Sequence, residues 1–166
     1  MSEVITTDKQ AFDYVVKMLL EQGEKSMDDS ETCQYRGFKQ KTLEDTFTKA
    51  QEIAYSSDET YWSSDIDDLQ RDLLANLPCD ARCAVGHLIK DEYYHPHIEG
   101  ETMTTDVVDM VKLSYPSWTI TNESQRMMIE LQKIHDGYPP HNWGDLFKGI
   151  QYNFTEDGKW ISDGKN

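Results

Sequence analysis

The chain has 166 residues, with 31 acidic against 16 basic side chains and a formal net charge of −15. That length supports one domain with its own core and no covalent staples. The charge excludes a bare surface for nucleic acid or for an anionic membrane, both of which need the opposite sign. Three cysteines, no basic-then-apolar leader and no long apolar run lead to the expectation of a reduced, cytoplasmic protein without a membrane span.

Residues 7–22 carry the clearest helical signature. Phe12, Val15, Val16, Leu19 and Leu20 recur at the spacing of one buried stripe. Thr7 with Gln10 fits a capping box, and Gly23 stands where a helix end favours a left-handed residue. Residues 24–41 show no period and read as a loop carrying Cys33, Gln34, Tyr35, Arg36 and Gly37. In so acidic a chain, Arg36 is expected to pair with Asp91 or Glu99 and to fix two loops against each other.

A helix from Thr42 to about Ala54 follows from Leu43, Phe47, Ala50 and Ala54. A second, from Ser64 to Leu77, follows from Ile66, Leu69, Leu73 and Leu77. Asp65, Asp67 and Asp68 crowd the N-terminal turn of the second helix, and Pro78 ends it. Between Thr42 and Pro78 nine acidic residues face only Lys49 and Arg71, a net of −7 and close to half the charge of the whole chain.

Asp80 marks the start of a short expected helix through Ile89, weakened at Gly86. Asp91, Glu92, Tyr93, Tyr94, His95, His97 and Glu99 then crowd around Pro96, which keeps the segment extended or turned. Further helices are expected over Thr105–Leu113, over Asn122–His135 with Asn122 and Gln125 as the capping pair, and from Asn142 onward on Trp143, Leu146, Phe147 and Ile150. No alternating strand pattern of useful length occurs. The fold class is mostly α: a compact single-domain bundle of about six helices over residues 1–154, with 155–166 as a mobile tail.

Two chemistries are conceivable around residues 79–99. Cys79, Cys83 and His87 fall at i, i+4, i+8, one face of a continuous helix. Thiolate plus imidazole is a zinc set that His95 or His97 could complete. Tight Cys-x-x-Cys knuckles are missing, so no cofactor is favoured, and the simpler role for Cys83 is a small buried apolar side chain. His87, His95 or His97 with Asp91 or Glu99 would alternatively form a general acid–base site. No nucleophile-bearing motif accompanies them. His135-Asp136 reads as a helix C-terminal charge pair, or as a bond from His135 to a loop carbonyl that fastens 91–100 to the core.

Cys33, Tyr35 and Arg36, then Cys83-Ala84-Val85-Gly86 with Leu88-Ile89, then Asp91, Tyr94 and Glu99-Gly100, and finally Leu131-Gln132, His135-Asp136 and Trp143 form an ordered set along the chain. In this the protein resembles a family of small uncharacterised proteins of tailed bacteriophages and prophages. The resemblance covers most of the chain and implies a phage or prophage origin and a compact helical domain, but no activity. In that family the first cysteine block lies close before the second, whereas here the acidic segment 42–78 stands between them. Read as an insertion, this segment should protrude from the core and carry a task specific to this protein.

The favoured expectation is therefore a non-enzymatic accessory protein that binds a host or phage protein with a basic surface. Its contacts would come from Asp58, Glu59, Asp65, Asp67, Asp68 and Asp72, with Tyr61, Trp62 and Phe47 as anchors. One form is a DNA mimic that inhibits a nucleic-acid-binding host factor. The alternatives are a small hydrolase or nucleotide-modifying enzyme at 83–100, with or without a metal, and a minor virion or assembly component.

Overall fold

The computed structural model describes residues 4–26, 34–56 and 63–162; Cys33, Asp58, Glu59, Tyr61 and Trp62 lie outside them. Among the described residues the chain forms six α-helices and no strand ladder: α1 Asp8–Gln22, α2 Gln40–Ser56, α3 Ser63–Ala75, α4 Thr105–Ser114, α5 Asn122–Gly137 and α6 Pro140–Ile150. No helix is long and apolar enough to cross a membrane. In α1 the end signals operate, but the capping box is half formed, because the Gln10 side chain accepts from the Thr6 amide rather than that of Thr7. The Thr7 hydroxyl accepts from the Gln10 amide, and Gly23, at φ 66°, closes the helix onto the Leu19 carbonyl. Phe12, Val15 and Leu19 of α1 join Met127, Met128 and Leu131 of α5 and Trp143 and Phe147 of α6 in the main core. The capping box of α5 sits one residue earlier than expected, on Thr121 and Ser124, because Thr121 has the extended backbone a cap requires.

Two expectations need correction. Residues 80–89 do not form a helix; they hold a single 3-10 turn at Val85–Leu88. Tertiary partners take the backbone groups that a helix would have used. Gly37 donates to the Ala81 carbonyl at 2.8 Å and Cys83 donates to the Gln34 carbonyl at 3.3 Å. Gly86 lies so close to this neighbouring segment that a Cβ would stand 2.2 Å from the Tyr35 carbonyl oxygen. Only glycine permits that approach.

The tail also differs from its expectation over its described residues, 155–162. Phe154 and Trp160 form an antiparallel bridge, and Trp160, 4% exposed, packs against Phe12 and Phe154. Buried Asp8 accepts from the Trp160 amide at 2.8 Å and from the Trp118 indole at 2.9 Å, so one carboxylate in the first turn of α1 fastens two distant segments.

Helices α2 and α3 form an excursion with a small core of their own: Ala50, Ala54 and Ile66, flanked by Leu69 and Leu73. Gln70 bridges the pair by donating to the Leu43 carbonyl at 2.8 Å. The chain leaves the body at Gly37 and returns at Ala81, and an antiparallel bridge between these residues pinches the base. The Asp80 carboxylate, accepting from the Lys39 amide at 2.8 Å, adds a second tie there.

Candidate functional site

Of the residues singled out between 79 and 99, Asp91, Tyr94 and Glu99 meet the Tyr35–Arg36 segment in a polar junction at the base of α2–α3. Glu99 is its centre. One carboxylate oxygen accepts from the Tyr35 amide at 2.7 Å; the other accepts from the Arg36 amide at 3.0 Å and the Tyr94 hydroxyl at 2.6 Å. Burial pushes the Glu99 carboxyl above its ordinary value, offset in part by these three donors. Burial and the neighbouring Glu99 likewise push the Tyr94 phenol well up, so it stays a donor.

Glu99 thus grips the backbone of Arg36, while the side chain of Arg36 turns elsewhere. Its guanidinium stacks 4.8 Å over the Tyr94 ring and donates to the carbonyls of Ala75, at 3.0 Å, and Leu77. The Ala75 carbonyl is an orphan acceptor at the C-terminal end of α3, where a cation is also favoured by the helix dipole, and Leu77 lies two residues beyond. Of the two expected partners, Asp91 is the one within ion-pair distance of the guanidinium, 3.7 Å from Nε; its side chain is 64% exposed, which makes this a minor contribution beside the two carbonyl bonds.

On the other side of the junction lies a cleft of about 490 Å³ between α1 and residues 79–91, lined by Gln22, Cys79, Arg82, His87, Asp91 and Tyr115. Arg82 spans its floor, donating to the Ile89 carbonyl at 2.8 Å, to Asp91 at 2.5 Å and to the Cys79 sulfur at 3.2 Å. His87 Nε2 lies 3.1 Å from Gln22 Oε1, an oxygen that also accepts from the Arg82 amide, so the imidazole is the donor. Burial, together with the positive charge of Arg82, lowers the His87 pKa to about 3. His87 is therefore a neutral, hydrogen-bonded wall of the cleft at physiological pH.

A third group fastens α5. Gln132 accepts from the Val85 amide at 3.3 Å and donates to Asp136 at 2.7 Å. Asp136 also contacts His135 Nδ1 at 2.7 Å. The other nitrogen of His135 accepts from the Ser26 amide at 3.2 Å, which places the ring proton on Nδ1. His135 is fully buried and stacks on Trp143. The bond made by His135 thus holds the loop at Ser26, not residues 91–100, and its partner is an amide rather than a carbonyl.

The five candidate acid–base residues fall in three places. His87 and Asp91 line the cleft, Glu99 lies in the junction, and His95 and His97 are exposed beside Asp106 on α4. The zinc set separates as well. Cys79 faces Arg82, the Cys83 sulfur accepts from the Gly86 amide inside the core, and His87 faces Gln22. Their helix does not exist, and among the described residues no group of three or more His, Cys, Asp or Glu side chains is placed to hold a metal. On α3, Asp67, Asp68 and Asp72 are exposed and Asp65 is half-buried.

Access separates the cysteines: Cys79 is partly exposed in the cleft and Cys83 is fully buried. In a Cys33→Ser background, iodoacetamide should label the native protein at Cys79 alone, and Cys83 only after unfolding, as read by peptide mass mapping. Sequence reasoning passed over Gln22, Arg82 and Asp106. For Arg82 a signal existed: it is the single Lys or Arg between Arg71 and Lys90, set beside a run of apolar residues. No family model, curated protein or solved structure matches the chain.

Proposed function

We propose that the protein acts by binding, with the α2–α3 hairpin as contact surface and a basic protein surface, of the kind that holds nucleic acid, as its target. The observation that supports this reading is an acidic excursion that also displays large apolar side chains. Glu44, Asp45, Glu52, Asp67, Asp68 and Asp72 are exposed, and so are Phe47, Ile53 and Tyr55, the last 76% exposed. At 100° per residue, Phe47 and Ile53 flank the buried Ala50–Ala54 stripe on opposite sides. Charge of one sign around exposed apolar groups suits fast, salt-sensitive encounter followed by desolvated anchoring. The Gly37–Ala81 bridge and the bonds of Arg36 to the Ala75 and Leu77 carbonyls tie the base of this surface to the rest of the fold. A phage origin, as the resemblance implies, would make the target a host factor, and a DNA-like acidic face would act on it by imitation.

The experiment compares wild-type protein with the triple variant Asp67→Lys, Asp68→Lys, Asp72→Lys in pull-downs from bacterial lysate. A partner identified by mass spectrometry should be retained by wild type and lost by the variant. Its binding to wild type should weaken by about tenfold or more between 50 and 300 mM salt. A partner bound equally by both proteins, or bound without dependence on salt, would overturn the reading.

A further inference from the structure

We infer that a second cavity, at the C-terminal end of α5, is a site for a small organic amine. Its apolar walls take the aromatic or hydrocarbon body, and the Asp136 carboxylate takes the ammonium group. The cavity measures about 660 Å³, larger than the cleft at Arg82, and lies between α5 and residues 100–103. Tyr35, Val85, Met103 and Ile129 line it. Tyr35 and Val85 belong to the buried main core, so that part of the wall is fixed by packing. A cavity of this size, mostly apolar with a few placed polar groups, is the usual form of a small-molecule site.

The placed polar group is Asp136, and both of its partners are themselves held. Its Oδ1 accepts from Gln132 Nε2 and from His135 Nδ1, each at 2.7 Å. Gln132 is oriented by the Val85 amide, which donates to its Oε1 at 3.3 Å. His135 is oriented by the Ser26 amide, which donates to Nε2 at 3.2 Å, so the ring gives its one proton to Asp136 and stays neutral. Two neutral donors thus fix a carboxylate whose side chain is only 32% exposed, and among the described residues no Lys or Arg makes an ion pair with it. Its second oxygen has no hydrogen-bond partner among them either. The surroundings favour a cation at that oxygen. Asp136 stands in the last turn of α5, at the negative end of the helix dipole. The Lys25 ammonium is drawn to the same end and donates to the Asp136 carbonyl at 2.5 Å, without reaching the carboxylate. Of the other two charged side chains on the wall, Glu101 adds negative charge, and Lys133 is offset by Glu130 at 2.7 Å. An amine with an apolar body matches this cavity in charge and in surface, and an acid of the same shape does not.

The test titrates full-length protein with phenethylamine, phenethyl alcohol and phenylacetate, followed in amide correlation NMR spectra. Shifts are expected at Met103, Ile129 and Gln132. The amine should bind at least about tenfold tighter than the alcohol, the effect of a charge-assisted hydrogen bond, and the acid should bind weakest. Asp136→Asn should bring the amine down to the level of the alcohol. Ile129→Trp, at an exposed edge of the wall, should narrow the cavity and weaken amine and alcohol alike. Asp91→Asn, in the Arg82 cleft, should leave both unchanged. Asp136→Asn also alters the bond from His135, so its fold is checked by melting temperature; Ile129→Trp leaves that network intact and tests the site independently. Equal affinity for amine and alcohol, amine binding unchanged in a folded Asp136→Asn or in Ile129→Trp, shifts confined to the Arg82 cleft, or no amine binding at about 10 mM would overturn the proposal.

Discussion

Replacing Glu99 with Ala is expected to lower the unfolding free energy by about 3–5 kcal/mol, because the Tyr35 and Arg36 amides and the Tyr94 hydroxyl lose their common acceptor inside the fold. Each donor left unpaired costs about 1–3 kcal/mol, and water entering the vacated space recovers part of the sum. Glu99→Gln should lose less, since the amide oxygen keeps one side of the grip while its NH₂ faces a backbone donor. Urea denaturation at neutral pH measures both losses. Hydrogen exchange should show the Tyr35 and Arg36 amides deprotected in Glu99→Ala beyond what the drop in global stability explains. The same opening should spread to α3, because Arg36, once its backbone is released, no longer holds the Ala75 and Leu77 carbonyls. A loss below about 1 kcal/mol would mean that the carboxylate does not organise the junction.

The second large effect is an acid sensitivity set by His87. Its pKa falls from an ordinary 6.5 to about 3 in the folded protein, so between those values the unfolded chain binds the extra proton. The stabilisation from keeping His87 neutral is therefore full above about pH 6.5 and is lost as pH falls toward 3. By linkage the loss reaches about 3 kcal/mol near pH 4.5 and about 5 kcal/mol at the lower limit. Glu99 runs the other way: with its folded value raised, its contribution is present below its ordinary range and fades as pH rises through the folded value. A comparison of wild type with His87→Gln isolates the histidine, since glutamine keeps a donor for Gln22 Oε1 and does not titrate. The wild-type advantage in urea midpoint should be greatest at pH 7 and shrink steadily through pH 5.5 and 4.5. Parallel curves for the two proteins would show that His87 is not held neutral by the fold.

The helices were written in local signals. The stripe Phe12, Val15, Leu19, the cap at Thr7 and the stop at Gly23 are separated by three or four residues or lie next to each other, and the 3.6-residue period expresses them directly. The acidic helical pair was legible for the same reason, as was the burial of Trp143, Phe147, Met127 and Leu131. The junction was not. Glu99 reaches amides more than sixty residues earlier in the chain, and Arg36 reaches carbonyls about forty residues later. Those partners are backbone groups, which every residue carries, so no residue type in the sequence marks which ones a buried carboxylate or guanidinium will meet.

The two corrected segments show the same limit. Residues 80–89 have the composition of a short helix, yet the fit of Gly86 against the Tyr35 carbonyl and the bridge from Ala81 to Gly37 outweigh local propensity. The tail is polar around a single tryptophan, and the packing of its described residues comes from a site for Trp160 beside Phe12 and Asp8 at the opposite end of the chain. By itself the sequence determined the class, the helices and the acidic face, because each depends on composition or short-range period. The tertiary structure decided the grip of Glu99 and the neutrality of His87, because each depends on which distant groups burial brings within hydrogen-bonding reach.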